Sequence, residues 1–251
     1  MQTFYLSKDL PLDGCKLGKG YCMLYEESLV KLGRCVNGWE DYFMAVCRDC
    51  PRRCGVERPD SFQTAGKMGI CSMPFAPVVA RAALHFGEEP CISGSRGSGT
   101  IFFSGCSLRC VFCQNYRIST ENFGQEVSVF RLREIYDELI AQGAHNINLV
   151  NPTHFVRAIA QSLKELLPVP VIYNCGGYES VDSLRMLEGK VQIYLPDFKY
   201  VDNQLAIRYS GTADYFEQAG AAIREMVHAL FRRFDSAFDF TGADTKQQTS
   251  N

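Results

Sequence analysis

Residues 99–116 read GTIFFSGCSLRCVFCQNY, an apolar run of strand character followed directly by three cysteines. These cysteines, Cys106, Cys110 and Cys113, have the spacing C-x3-C-x2-C. Thiolates at this spacing on a loop converge on one face of a four-iron, four-sulfur (4Fe-4S) cluster and leave its fourth iron without a protein ligand. The pattern predicts a metal site with an open coordination position at the end of a strand. A zinc knuckle is the alternative that the spacing also allows.

From residue 99 onward the chain alternates between strand and helix patterns. Short apolar or β-branched runs bounded by Gly, Pro or Asn predict strands at residues 100–104, 146–150, 169–173 and 191–195. Helical periods predict helices at residues 129–143, 155–167, 181–189 and 214–234. This alternation predicts parallel strands joined by right-handed helical crossovers, in a barrel-like or doubly wound α/β fold. The cysteines after the first strand favour the barrel, whose sites collect at the carboxyl ends of strands.

A second set of cysteines precedes this core, in CRDCPRRCGVERPDSFQTAGKMGIC. We refer to its members, which have the spacing C-x2-C-x3-C-x16-C, as the four-cysteine group: Cys47, Cys50, Cys54 and Cys71. A knuckle with a distant fourth thiolate suits tetrahedral coordination, and the intervening Pro and Gly residues supply turns. The group predicts an auxiliary iron-sulfur cluster or a structural zinc, because both accept four thiolates. Four free cysteines are the alternative.

Composition and charge narrow the class of protein. The chain has 251 residues, of which 46% are apolar, enough for one large α/β domain with a small appendage. A formal net charge of −2 without a long Lys or Arg run predicts neither nucleic acid nor an anionic membrane as a main partner. We find no secretory pattern and no long uninterrupted apolar segment. Metal thiolates need a reducing compartment, so we expect a cytoplasmic protein, or one in a reducing organelle.

The cysteine motif resembles that of the radical S-adenosylmethionine (radical SAM) superfamily, whose signature is C-x3-C-x-aromatic-C, with Phe112 as the aromatic residue. The resemblance can be narrowed by ISGSRGSGTIFFSGCSLRCVFCQNYRIS, NLVNPTHF, YNCGGYES and YLPDFKY. Together these segments resemble an uncharacterised branch related to the pyruvate formate-lyase activating enzymes, over about residues 45–227. The resemblance implies a partial (β/α) barrel of radical SAM type with a small cysteine-rich N-terminal module.

The resemblance also implies an activity. A radical SAM oxidoreductase would hold a 4Fe-4S cluster on the three cysteines and bind S-adenosylmethionine at the open iron. An electron from a reducing donor would then cleave S-adenosylmethionine to a 5′-deoxyadenosyl radical, which abstracts hydrogen from a substrate. If the kinship extends to the substrate, this is a partner protein, a glycyl radical enzyme activated at a backbone glycine.

Loops after the later strands are expected to hold the cofactor. The residues expected to bind the cofactor are Phe112, Asn151, Thr153, Asn174, Gly176, Asp197 and Lys199, of which Asn151 and Thr153 are named for the oxygens they offer. By the resemblance, Asp197 and Lys199 would help to hold the cofactor's carboxylate, directly or through a cation, and a plain ion pair between them is the alternative. The second loop reads NPTH in place of the family's Gly-Gly-Glu-like motif, and its His154 has either a core role or a functional one.

The predicted organisation has four parts. They are an N-terminal extension (1–45), a cysteine-rich metal-binding module (46–75), a partial barrel core (76–232) and a disordered polar tail (233–251). Four strand-helix units are recognisable, where radical SAM cores usually have six, and the last strand would leave an unpaired sheet edge. A catalytically inactive, truncated iron-sulfur or zinc-binding protein is therefore the alternative function.

Overall fold

A computed structural model describes residues 46–237, with side chains described for residues 46–232. The predicted N-terminal extension, residues 1–45, lies outside the described part, as does the predicted tail beyond residue 237. The segments that carry the four-cysteine group and the three later cysteines are both described.

The described chain folds around one six-stranded sheet. Its strands are β1 (Val78–His85), β2 (Ser98–Phe103), β3 (Gln125–Glu126), β4 (Ile147–Val150), β5 (Val171–Cys175) and β6 (Ile193–Pro196). They lie in the order β3-β1-β2-β4-β5-β6, and within residues 46–237 the sheet does not close on itself. Strands β2, β4, β5 and β6 run parallel, whereas β1 is antiparallel to both β2 and β3. The predicted α/β class and the four predicted parallel strands are confirmed.

Helices follow the parallel strands. In the described part of the chain they are α1 (Pro90–Ser93), α2 (Tyr116–Ser119), α3 (Val129–Ala141), α4 (Val156–Ser162), α5 (Val181–Met186), α6 (Asn203–Ser210) and α7 (Tyr215–Ala237). The Ser128 hydroxyl accepts the Arg131 N–H at 3.0 Å, so α3 begins with an N-cap. One face of α3 is buried, through Leu132, Ile135, Tyr136 and Leu139. The predicted apolar period thus packs against the sheet.

One edge of the sheet differs from the predicted pattern of strand-helix units. Strand β1 pairs with β2 from Val79 opposite Phe103 to His85 opposite Ser98. It covers the edge of β2 that the parallel core would leave unpaired. The sequence from residue 77 starts strand-like, but it does not specify which strand lies beside this one. At the opposite edge, β6 pairs with β5.

The last helix corrects the predicted C-terminal boundary. Helix α7 continues through Ala237, so residues 233–237 are helical and not part of a disordered tail. The physical reason is that no Gly or Pro interrupts residues 221–237, so no residue in that stretch breaks the helical hydrogen bonding. No helix within residues 46–237 combines the length and apolar character that a membrane crossing requires.

The cysteine-rich segment packs on the α/β core within one compact unit. Buried Asp49 accepts a hydrogen bond from Arg157 Nε at 2.7 Å, and its second oxygen lies 3.7 Å from Arg58 Nη1. The Ser183 hydroxyl donates to the Asp49 carbonyl at 2.7 Å. Breaking a buried ion pair from one side costs about 3–5 kcal/mol, so these contacts hold the segment firmly against α4 and α5.

Candidate functional site

Loops at the carboxyl ends of the four parallel strands surround one cavity of about 360 Å³. This volume lies within the roughly 300–1,000 Å³ typical of small-molecule sites. The cavity is lined by the three cysteines and Phe112 of the first loop and by residues of the later loops: Asn151, Asn174, Cys175, Gly176, Asp197 and Lys199. The structure therefore brings together six of the seven side chains or glycines assigned to cofactor binding.

Thr153 is the exception. Its side chain is buried and does not line the cavity, because its hydroxyl donates to Glu179 Oε1 at 2.7 Å. The chain enters a 3-10 turn at Thr153–Phe155, which points this hydroxyl into the protein. The expected oxygen contact from Thr153 to a cofactor is absent from this arrangement of the described residues.

Three thiols stand at one end of the cavity, in the segment 104–113, which we refer to as the cysteine loop. Cys110 Sγ accepts a hydrogen bond from the Ser210 hydroxyl at 2.9 Å. The Tyr200 hydroxyl lies 2.7 Å from Ser210 Oγ and donates to it, since the Ser210 proton is directed at the sulfur. The Val111 N–H donates to the Tyr209 carbonyl at 2.9 Å, so the end of α6 supports the middle of the loop.

The other two sulfurs also accept hydrogen bonds. The Leu108 N–H lies 3.4 Å from Cys106 Sγ, and the Ser119 hydroxyl lies 3.3 Å from Cys113 Sγ. Burial raises the pKa of Cys106 to about 11, and hydrogen bonds from backbone N–H groups oppose this shift. Donors directed at each sulfur fit thiolate ligands of a metal, because they stabilise negative charge on sulfur.

Two side chains from the loop after β4 hold the start of the cysteine loop. The Asn151 amide donates to the Gly105 carbonyl, and His154 Nε2 donates to the Ser104 carbonyl at 2.6 Å. The His154 ring is buried, and burial lowers its pKa to about 3, so the ring is neutral. His154 therefore has the core role of the two that the sequence allows.

Close packing explains the glycine before the first cysteine. Gly105 has a φ of +74°, and a Cβ at this position would lie 2.6 Å from the Cys71 carbonyl oxygen. A side chain here would also clash with Met73. Only glycine permits this approach, which places the cysteine loop directly against the four-cysteine group.

Asp197 and Lys199, which also line the cavity, form an ion pair at the end of β6. Burial lowers the pKa of Lys199, but the hydrogen bond and charge of Asp197 outweigh it and raise the pKa overall. Gly176 lies beside them, where a Cβ would be 3.6 Å from Lys199 Cε. A cation, a carboxylate and the backbone of Gly176 thus line the same cavity as the three thiols.

The Tyr215 hydroxyl ties two strand ends together behind this pair. It lies 2.8 Å from the Gly176 carbonyl, 3.0 Å from the Asp197 carbonyl and 2.8 Å from the Lys199 N–H. The sequence analysis missed this residue, because Tyr215 belongs to an ordinary amphipathic helix. Only its position between β5 and β6 identifies it as a support of the cavity.

The thiols of the four-cysteine group are neighbours. Burial raises the pKa of Cys50, and the charges of the other three thiols raise it further. Burial also raises the pKa of Cys71. Among residues 46–237, no three His, Cys, Asp or Glu side chains stand in a preformed arrangement for a single metal ion. Four thiolates bound to one zinc ion, with Zn–S bonds of about 2.3 Å, have sulfur atoms about 3.8 Å apart. An iron-sulfur cluster holds its thiolates further apart, because each binds a different iron.

Comparison with known proteins gives a relative without an assigned function. No protein-family model matches the chain. The chain is 32% identical over 180 residues, 68% of its length, to an uncharacterized protein of Methanocaldococcus jannaschii. The match covers 50% of that protein, so the chain spans about half the length of this curated relative.

Proposed function

We propose that the chain is a radical SAM oxidoreductase with the partial barrel that its resemblance implies. Cys106, Cys110 and Cys113 would hold a 4Fe-4S cluster, and S-adenosylmethionine would occupy the adjacent cavity. One observation carries the proposal: the loop with three thiols and the polar ends of three further parallel strands line the same cavity. A reducing electron donor and a reducing compartment, such as the cytoplasm, belong to the same proposal.

The residues of this chain would position both groups. When bound, the cluster and S-adenosylmethionine supply one-electron cleavage and a 5′-deoxyadenosyl radical. Lys199 lines the same cavity as the thiols and would pair with the cofactor's carboxylate in place of Asp197. Gly176 allows Leu108 to pack closely, since a Cβ there would lie 2.8 Å from Leu108 Cδ1, and the buried Leu108 forms an apolar wall of the cavity.

A protein substrate, a glycyl radical enzyme by analogy with the activating enzymes, is the second part of the proposal. Exposed apolar side chains in and beside the lining loops support it: Val111 is 74% exposed, Phe112 56%, Phe198 43% and Val201 77%. Exposed apolar side chains beside a cavity are typical of a surface that receives another protein.

The alternative proposal is a noncatalytic metal-binding protein. The observation that favours it is the sheet, which within residues 46–237 ends at β6 without a further strand. Such a protein would bind metal at one or both cysteine groups, with zinc or an iron-sulfur cluster at the four-cysteine group, and would not bind S-adenosylmethionine.

Anaerobic reconstitution with iron and sulfide separates the two proposals. The wild type and the Cys106→Ala, Cys110→Ala, Cys113→Ala variant are reduced with dithionite in the presence of S-adenosylmethionine, and 5′-deoxyadenosine is measured by chromatography. We expect product from the wild type and none from the variant. A wild type with verified iron and sulfide in the cysteine loop that neither binds S-adenosylmethionine nor forms product contradicts the enzyme.

A further inference from the structure

Arg52 joins the four-cysteine group to the cysteine loop. It lies within the first group in the sequence, but its guanidinium bonds outside that group. Nε donates to the Ser107 carbonyl at 2.7 Å, Nη2 donates to the Ser210 carbonyl at 2.6 Å, and Nη1 donates to the Gly211 carbonyl. One planar cation thus binds the cysteine loop and the C-terminal end of α6, whose last carbonyls have no partners inside the helix.

A second arginine makes the opposite connection. Arg109, inside the cysteine loop, donates to the Ile70 carbonyl at 3.3 Å and to the Ser72 hydroxyl at 3.4 Å. These two residues flank Cys71 of the four-cysteine group. Each cysteine-bearing segment therefore has one arginine that donates hydrogen bonds to the other segment. These bonds add to the close contact between the two segments at Gly105.

The four-cysteine group has donors suited to charged sulfur. Each of its sulfurs faces one N–H group: Arg52 N–H for Cys50, Met73 N–H for Cys71, Ile70 N–H for Cys54 at 3.4 Å, and the Arg58 guanidinium for Cys47 at 3.9 Å. The Arg58 side chain is fully buried. A buried cation and N–H donors stabilise thiolates, the form in which cysteines bind a metal.

We infer that the four-cysteine group holds a metal whose binding orders the cysteine loop, and that Arg52 is the positioning residue that couples the two sites. Metal bound to Cys50 and Cys54 fixes the intervening backbone, and with it the direction of the Arg52 side chain. The guanidinium then holds Ser107, between the first two cysteines of the loop, against α6. The ordering of the loop by the metal does not depend on the proposed function; only the role of the loop in cofactor binding rests on it.

The first experiment does not depend on a cluster in the loop. Hydrogen exchange of the amides of residues 104–113 is measured in the Cys106→Ala, Cys110→Ala, Cys113→Ala background, loaded in parallel with zinc or with iron and sulfide, and bound metal is quantified. Adding Cys54→Ser or Arg52→Lys is expected to speed this exchange about tenfold. Arg53→Lys, the matched control at the exposed neighbouring arginine, is expected to leave it unchanged.

The expected pattern of metal content distinguishes coupling from misfolding. Cys54→Ser loses the metal of the four-cysteine group, whereas Arg52→Lys keeps it, because lysine retains the charge but cannot bond three carbonyls at once. The inference is overturned if the amides of residues 104–113 exchange at the same rate in Arg52→Lys as in Arg53→Lys. It is also overturned if the four-cysteine group binds no metal in any preparation.

The second experiment uses chains with all cysteines of the loop intact. Arg52→Lys is expected to weaken S-adenosylmethionine binding about tenfold and to alter the paramagnetic resonance spectrum of the reduced protein, with Arg53→Lys as the control. A wild type without iron in the loop refutes the proposed function alone. A wild type with iron and an Arg52→Lys variant with the same affinity and spectrum refutes the coupling.

Discussion

The hydroxyl of Ser210 lies 2.9 Å from the sulfur of Cys110 and donates a hydrogen bond to it, although the two residues are 100 positions apart in the chain. Ser210 closes α6, and the Tyr200 hydroxyl, 2.7 Å away, keeps the serine proton directed at the sulfur. Hydrogen bonds to cluster sulfurs raise the reduction potential, because they stabilise the additional negative charge of the reduced state. The reduction potential of the proposed cluster therefore depends on the position of the end of α6.

Removal of this hydroxyl tests the link. We expect Ser210→Ala to lower the reduction potential of the reconstituted cluster by some tens of millivolts, measured by redox titration with paramagnetic resonance detection. Ser119→Ala, at the longer 3.3 Å contact with Cys113, serves as the graded comparison and is expected to cause a smaller decrease. Equal potentials in Ser210→Ala and wild type contradict a functional hydrogen bond.

Lys199 tests the proposed carboxylate contact. Lys199→Met is expected to weaken S-adenosylmethionine binding about tenfold or more, since a charge-assisted hydrogen bond to the carboxylate is lost. Asp197→Asn releases Lys199 from its ion pair and is expected to bind at least as tightly as wild type. Equilibrium dialysis measures both variants. Unchanged affinity in Lys199→Met is incompatible with the contact.

A comparison of Gly177 with Gly189 distinguishes backbone strain from steric overlap. It has a φ of +78°, and a Cβ would clash with the Asp197 carbonyl oxygen. Gly189 has a similar φ of +74°, but a Cβ there would meet nothing within 4 Å. We expect Gly189→Ala to lower the free energy of unfolding by about 1–2 kcal/mol, and Gly177→Ala to lower it by about 3 kcal/mol or more. Equal urea midpoints for the two variants rule out the proposed overlap.

Glu179 predicts a dependence of stability on pH. Burial raises its pKa from 4.5 to about 7, against hydrogen bonds from Thr153, Tyr173 and Cys175 that lower it. The folded protein therefore retains this proton where the unfolded chain has lost it. The contribution of the Glu179 carboxyl group to the free energy of unfolding therefore decreases as pH rises from about 4.5 to 7, and it is constant above that range.

Denaturant titrations of the metal-free protein measure this contribution. Between pH 5 and pH 8 the wild type is expected to lose about 2–3 kcal/mol more stability than Glu179→Gln. Glu165→Gln, at an exposed carboxylate, is the control and should follow the wild type. Parallel pH profiles for wild type and Glu179→Gln show that Glu179 does not titrate in this window.

Local patterns in the sequence predicted the parallel core and most of the cavity. The four apolar runs after residue 99 correspond to β2, β4, β5 and β6. In parallel strands with helical crossovers all carboxyl ends lie at the same edge, so residues such as Asn174 and Lys199 had to approach the cysteines. Side-chain period and turn residues are short-range properties, and they are sufficient for this level of the fold.

Only the tertiary structure decided which side chains face the cavity and what supports them. Thr153 follows its strand as closely as Asn151 does, but the 3-10 turn directs it to Glu179. Helix α6 has no strong signal in the sequence, yet its end holds the cysteine loop.

The contact between Arg52 and Ser107 joins residues 55 positions apart. The spacing of the cysteines in the sequence was sufficient to locate the two candidate metal sites. The coupling of the two cysteine groups depended on the packing of distant segments, because a hydrogen bond forms only when the whole fold places its donor and acceptor within reach.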